Sequence, residues 1–330
     1  MRPLPRVAVV FTGGTISMRL DPALGGNVPA LDGAAILART PGLDALAEVV
    51  PIDHGLIPAS HLSFDAVLGI GCVVRDTLAR DDVAGVVVVQ GTDTIEETSF
   101  AWDLVLDGER PVVVTGAMRA PHESGDDGPA NLRDAVTVAA AADAAGTGVT
   151  VVLGGTIEPA DDVQKTHTTA LDAFRSPNGG SLGRVVDGRA LLHRPRGPRR
   201  HVAAERAAAN VHLVTAGLDT DGSVVDALLD HGAAGLVIAA TGSGNTHPGL
   251  LAAATAAMAA DIPVVLASRC PAGAVGAAYA FPGGGATWLR AGAIPAGHLC
   301  AIKARVALAL GLGAGLSRDA LATLLADPLP

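Results

Sequence analysis

The stretch Val86-Val87-Val88-Val89-Gln90-Gly91-Thr92-Asp93-Thr94-Ile95-Glu96-Glu97-Thr98 decides the fold class. Its first four residues are apolar without alternation, the pattern of a strand covered on both faces. A glycine turn follows, and Thr94-x-x-Glu97 then fits a capping box, which predicts a helix over 95–106. The same unit recurs outward along the chain. Residues 7–11 run into Thr12-Gly13-Gly14-Thr15-Ile16-Ser17, 112–114 into Thr115-Gly116-Ala117-Met118-Arg119, and 149–153 into Gly154-Gly155-Thr156. In the second half, 236–240 precede Thr241-Gly242-Ser243-Gly244-Asn245, and 264–267 precede Ser268-Arg269-Cys270-Pro271. Helical periodicity occupies 64–79, 132–145 and 249–260. Strands alternating with helices predict an α/β fold with a mostly parallel sheet.

One composition shift divides the chain. His193-Arg194-Pro195-Arg196-Gly197-Pro198-Arg199-Arg200-His201 is basic and rich in Pro and Gly between two β/α regions. It reads as a solvated linker, placed at 191–210, because several arginines close together ordinarily face water. A length of 330 residues suits two domains at roughly 100–200 residues each.

Composition narrows the function classes. Hydrophobic residues make up 49% and charged residues 17% of the chain, as in a globular protein rather than a disordered one. A formal charge of −10 argues against broad nucleic-acid or acidic-membrane binding. Cys72, Cys270 and Cys300 lie far apart, so neither a disulfide framework nor a thiolate zinc site is expected, which fits a reducing cytoplasm. The apolar run after Arg2 and Arg6 is shorter than the roughly 7–15 residues of a signal core. Residues 250–267 are broken by Asp261 and Pro263, short of about 20 apolar residues for a span. The expectation is a cytoplasmic protein without export signal or membrane segment.

Ligands of open α/β sheets bind beyond the carboxyl ends of the strands, so the turns there carry the candidates. In 12–16 two glycines permit close backbone approach, with Gly14 beside the Thr15 hydroxyl. In 90–98, Gly91, Thr92 and Asp93 precede a helix start, where free N–H groups and the dipole favour an anion. Lys165 stands in the hydroxyl-rich Lys165-Thr166-His167-Thr168-Thr169, and Lys165 and Lys303 are the only lysines. An amine can exchange a proton where a guanidinium cannot. Thr15, Thr92, Asp93 and Lys165 together supply a nucleophile, a second hydroxyl, a carboxylate and an amine. No Walker loop or HExxH occurs, and Gly242-Ser243-Gly244 has His247 where a dinucleotide loop has its third glycine. The histidines lack metal-ligand spacing, so neither metal nor cofactor is expected.

Five motifs in this order, TGGTIS at 12–17, GTDTIEET at 91–98, TGAMR at 115–119, DGPANL at 127–132 and KTHTTALDAFRSPN at 165–178, resemble the bacterial-type L-asparaginase and glutaminase-asparaginase family. The resemblance covers nearly the whole chain. It implies a larger N-terminal catalytic domain at 1–190, a linker at 191–210 and a smaller C-terminal domain at 211–330, each an α/β unit with a mostly parallel sheet flanked by helices. It implies hydrolysis of L-asparagine to L-aspartate and ammonia through an acyl-threonine, with side activity on glutamine, in a homotetramer built from dimers. Carried over by position, Thr15 is the nucleophile, and Thr92 and Asp93 bind substrate and form a triad with Lys165. Gly14, Ser60, His61, Gly91 and Ala117 complete the substrate site, Ala117 as a backbone position facing the scissile amide. Three features depart from the family pattern: no tyrosine in the loop at 17–31 that follows the first motif, His61 where an acidic or amide residue is common, and no carboxylate in 271–295. The missing tyrosine motivates an alternative, a non-catalytic amino-acid sensor on the same fold.

Overall fold

The valine run that opens the motif-bearing unit is buried at every position from Val86 to Val89, so both faces of its strand are covered. The structure is a computed structural model, and it describes residues 3–327; Arg2 lies outside them. Two compact units divide between Gly197 and Pro198.

In the first unit, β1 (Arg6–Phe11) is followed by a hairpin of β2 (Met18–Asp21) and β3 (Gly26–Pro29), then α1 (Gly33–Ala38) and β4 (Glu48–Asp53). Next come α2 (Phe64–Leu78), β5 (Val83–Val89), α3 (Ile95–Val105), β6 (Val112–Thr115), α4 (Gly128–Ala140) and β7 (Val149–Leu153). β8 (Thr156–Pro159), β9 (Gln164–Lys165), β10 (Phe174–Arg175), β11 (Gly183–Val186) and β12 (Arg189–Leu192) complete it. One eight-stranded sheet runs β12-β11-β8-β7-β6-β5-β1-β4. The stretch from β7 to β4 is parallel, and β8, β11 and β12 join antiparallel. α4 packs its Leu132, Ala135, Val136 and Ala139 against Val7, Val9, Val87, Val89 and Val113. A fully buried valine is worth about 1.5–3 kcal/mol over an exposed one, so this face alone strongly favours the parallel register.

That order has a direct consequence for function. β1, β5 and β6 are neighbours and parallel, so the turns at 12–17, 90–94 and 116–119 share one edge of the sheet.

Three expectations need correction. The helix read at 132–145 begins at Gly128 and ends at Ala140, with Pro129 in its first turn. Proline is preorganised for that position, so a residue that looks like a breaker marks the start. Residues 17–31, read as a loop, contain the β2–β3 hairpin. The arginines of the basic segment are withdrawn from solvent in part or whole, although His193, Pro195 and His201 stay exposed. Arg196 is buried, donating to Asp103 at 2.7 Å and to the carbonyls of Thr147 and Val149 at 2.8 and 3.2 Å, with Asp161 at 3.1 Å. Arg194 donates to the Gly180 and Ser181 carbonyls within the same unit. Arg200 donates to the Ala326 carbonyl and Asp327 within the second. The arginines satisfy acceptors that the composition of the segment alone does not reveal.

In the second unit, β13 (Val211–Thr215), β14 (Gly235–Ala240), β15 (Val264–Ser268) and β16 (Ile294–Pro295) form a parallel sheet in that order. α5 (Ser223–Asp230), α6 (Pro248–Ala259), α7 (Gly285–Ala291), α8 (Ala301–Gly313) and α9 (Arg318–Leu325) accompany it. His247 precedes α6 and caps it, its Nδ1 accepting the Gly249 N–H. Among the described residues, no helix is long and apolar enough to cross a membrane.

Candidate active site

The turn after β1 is pinned before any side chain is considered. Thr12 donates its N–H and its hydroxyl to the Val89 carbonyl, and its own carbonyl accepts the Ile57 N–H at 2.8 Å. Gly14 has φ +97°, and a Cβ there would lie 2.2 Å from the Gly91 nitrogen. The 12–17 turn therefore rests on the 90–94 turn at a distance only glycine allows. Thr15 follows at once, half-buried, and its hydroxyl makes no hydrogen bond to other described residues.

The turn after β5 is a 3-10 turn, Thr92–Thr94, that continues into α3. Thr94 occupies the N-cap position, but the capping box read from the sequence does not form as expected. Its hydroxyl bonds no amide of the first turn and donates instead to the Ala59 carbonyl at 3.3 Å. Ala59 begins the short turn Ala59–His61, against which Gly91 packs, so Ser60 and His61 sit exposed beside the 90–94 turn.

β9 brings in the lysine. Lys165 Nζ donates to Thr92 Oγ1 at 2.9 Å and to Asp93 Oδ1 at 2.7 Å. Asp93 is exposed and Thr92 is buried, so the ammonium spans the boundary between interior and solvent. A cavity of about 300 Å³ opens there, lined by Asp93, Lys165, Thr166, His167 and Thr168. The structure thus joins Thr92, Asp93 and Lys165 directly. It sets Thr15 and Gly14 on the adjoining turn, and Ala117 on the next turn along the sheet edge.

One contributor escaped the sequence reading. Glu96 Oε2 accepts the backbone N–H of Lys165 at 2.9 Å, so the helix that continues from the turn of Thr92 and Asp93 also holds the strand that carries Lys165. Adjacent glutamates in a first turn point about 100° apart, so at most one can close a capping box; the other was free to serve elsewhere. Nearby, the Thr98 hydroxyl donates to Gln90 Oε1 at 3.0 Å, fixing the side chain that precedes Gly91.

Residues 6–196 match the family model described as "Asparaginase, N-terminal", and residues 210–325 match "Glutaminase/Asparaginase C-terminal domain". The chain belongs to the asparaginase family. A "Probable L-asparaginase" of Deinococcus radiodurans is 39% identical over 325 residues, covering 96% of this chain and 95% of that protein. An "L-asparaginase" of Bacillus licheniformis is 31% identical over 308 residues, covering 92% and 94%. The crystal structure of a "Probable Cytoplasmic L-asparaginase" from Campylobacter jejuni superposes with a TM-score of 0.86 at 28% identity, covering 97% of this chain and 99% of that one. Both units of the fold therefore have counterparts in the asparaginases, and the two-domain α/β architecture read from the sequence is that of the family.

Proposed function

We propose that the protein is an L-asparaginase that hydrolyses the side-chain amide of L-asparagine through an acyl-threonine intermediate. The observation that carries this reading is Lys165 Nζ within 2.9 Å of Thr92 Oγ1 and 2.7 Å of Asp93 Oδ1, beside the turn that presents Thr15. Thr15 Oγ attacks the amide carbon and loses its proton to the Thr92–Lys165–Asp93 set, which returns a proton to the departing nitrogen, and ammonia leaves. Water then attacks the ester carbon, gives the threonine its proton back and releases L-aspartate. The N–H groups of Gly14 and Thr92 face the role of stabilising the oxyanion in both halves, because neither bonds another described residue. Ser60, His61, Gly91 and Asp93 bind the amino-acid end of the substrate, and Ala117 faces the amide. Glutamine is a secondary substrate. The reaction so written uses only side chains and backbone groups, with no metal or cofactor.

The test is ammonia release from L-asparagine, L-glutamine and D-asparagine beside a Thr15→Ala variant. Release from L-asparagine that disappears in the variant is expected. Ligand-induced stabilisation without ammonia would favour the sensor instead.

The assembly is proposed as a homotetramer of dimers in the cytoplasm. Supporting it, charged residues are only 17% of the chain, and Leu24, Leu218, Tyr279 and Phe281 stand exposed. Obligate interfaces bury such apolar surface, and closed symmetric assemblies are common. An active monomer in light scattering at assay concentration would contradict the assembly, and recovery from the periplasm would contradict the compartment.

A further inference from the structure

The DGPANL motif at 127–132 has no part in the chemistry above, yet its two polar side chains grip the turn that carries Ala117. The Asp127 carboxylate accepts the Met118 N–H at 3.0 and 3.1 Å, the Arg119 N–H at 2.9 Å and Asn131 Nδ2 at 2.9 Å. Asn131 is buried and donates from the same Nδ2 to the Gly116 carbonyl at 3.0 Å, while its Oδ1 accepts the Gly154 N–H at 3.0 Å. The peptide groups on both sides of Ala117 are therefore tied to the first turn of α4. Ala117 itself is buried, and its own N–H and C=O bond to no described residue. More than about nine in ten buried backbone groups are paired, so the open N–H and C=O of Ala117, each in a peptide group held at its other end, call for a partner from outside the chain. Gly116 adds direction: a Cβ there would lie 2.5 Å from the Gln90 carbonyl and 3.3 Å from Thr92 Cγ2. The clamped turn thus bears directly on the turn that holds Thr92.

We infer that Asp127 and Asn131 are positioning residues for the scissile amide: they fix the Ala117 peptide so that its carbonyl accepts the N–H of the substrate's side-chain amide. This rests on the asparaginase reading above, in which Ala117 faces that group. The amide nitrogen is the atom that must be protonated and leave, so holding its N–H sets its orientation during attack, and small misplacements in such geometry are costly.

The prediction distinguishes two substrates that differ only in the leaving group, an amide NH2 or an ester OCH3. L-Asparagine has an N–H for Ala117, and the β-methyl ester of L-aspartate has none. Asp127→Asn turns one acceptor oxygen into a donor facing N–H groups. It is expected to lower kcat/KM for the amide at least about tenfold more than for the ester. Asn131→Asp keeps the acceptor for Gly154 and removes the donor to Gly116, and it is expected to shift the same ratio in the same direction by less. This second variant carries the test if the first fails to fold. Equal proportional losses on both substrates, or no loss in either variant, would overturn the inference and leave the motif a plain helix start. No ammonia from the unsubstituted protein would instead overturn the asparaginase reading, and this inference with it.

Discussion

Lys165 and Arg196 are both cations held by oxygen partners in the same unit, Lys165 by two and Arg196 by four, and the contrast between them bears on what separates a chemical site from a structural one. Arg196 has a side chain 4% exposed and faces Asp103, itself 2% exposed, with Asp161 alongside. Burial opposes its charge, but Asp103 and Asp161 outweigh burial and hold the guanidinium above its ordinary range. It stays charged and moves no proton. Lys165 has a 15% exposed side chain, bonds one hydroxyl and one open carboxylate, and borders a cavity. An ammonium in that position can exchange its proton with a bound ligand, and Thr92 gives it a hydroxyl through which to do so. The same ion-pair chemistry locks the fold at one place and, in the mechanism proposed above, serves turnover at the other.

The largest effect should come from replacing the lysine. Lys165→Met is expected to lower the turnover of L-asparagine at least about 100-fold, the scale of losing a positioned acid/base group. Thermal unfolding should hardly move, because Asp93 is already exposed to water. Lys165→Arg keeps the charge and should lose nearly as much; near-normal ammonia release by that variant would erase the contrast. Arg196→Met inverts the pattern. It strands Asp103 and Asp161 without their cation, and breaking a buried pair costs about 3–5 kcal/mol, readable in urea unfolding. Turnover per folded molecule should change little well below the melting transition.

A smaller effect sharpens the comparison from the acid side. Glu158 is buried, with Ser176 Oγ donating to it at 2.6 Å and the charges of Asp162 and Arg194 acting on it in opposite directions. Burial pushes its carboxyl above the ordinary range, and the hydrogen bonds from Ser176 and Thr156 oppose that shift only in part. A raised folded-state value means its contribution to stability is whole at acid pH and is lost as the pH rises through that value. Glu158→Gln should therefore melt about 1–3 °C above the parent at pH 8, with the gain vanishing towards pH 4. A gain that grows on acidification would contradict the sign.

The parallel strands were legible because Val, Ile and Ala runs without alternation have few other uses. β5 nevertheless starts at Val83, before the run, because β1 extends the pairing back to Arg6 opposite Val83, whereas β6 pairs only from Val86. The start of α4 was hidden by Gly128 and Pro129, residues that break helices in the middle and begin them at the end. In the site, Thr92, Asp93 and Lys165 could be singled out by residue type and by position after strands. Glu96 could not, because its target is a backbone amide 69 residues away, and sequence pattern carries no sign of such a bond. The buried arginine was missed for the same reason: Asp103 lies 93 residues from Arg196. Local rules reach caps and faces, whereas pairings across the sheet are written only in the fold.

The central claim is that Thr15 takes the acyl group while Lys165 manages the proton. Acid quenching during turnover of L-asparagine, followed by mass spectrometry of the peptides, tests it most directly. A β-aspartyl adduct on the peptide bearing Thr15, absent in Thr15→Ala, is the predicted result. An adduct on any other residue, or turnover that survives Thr15→Ala, would contradict it.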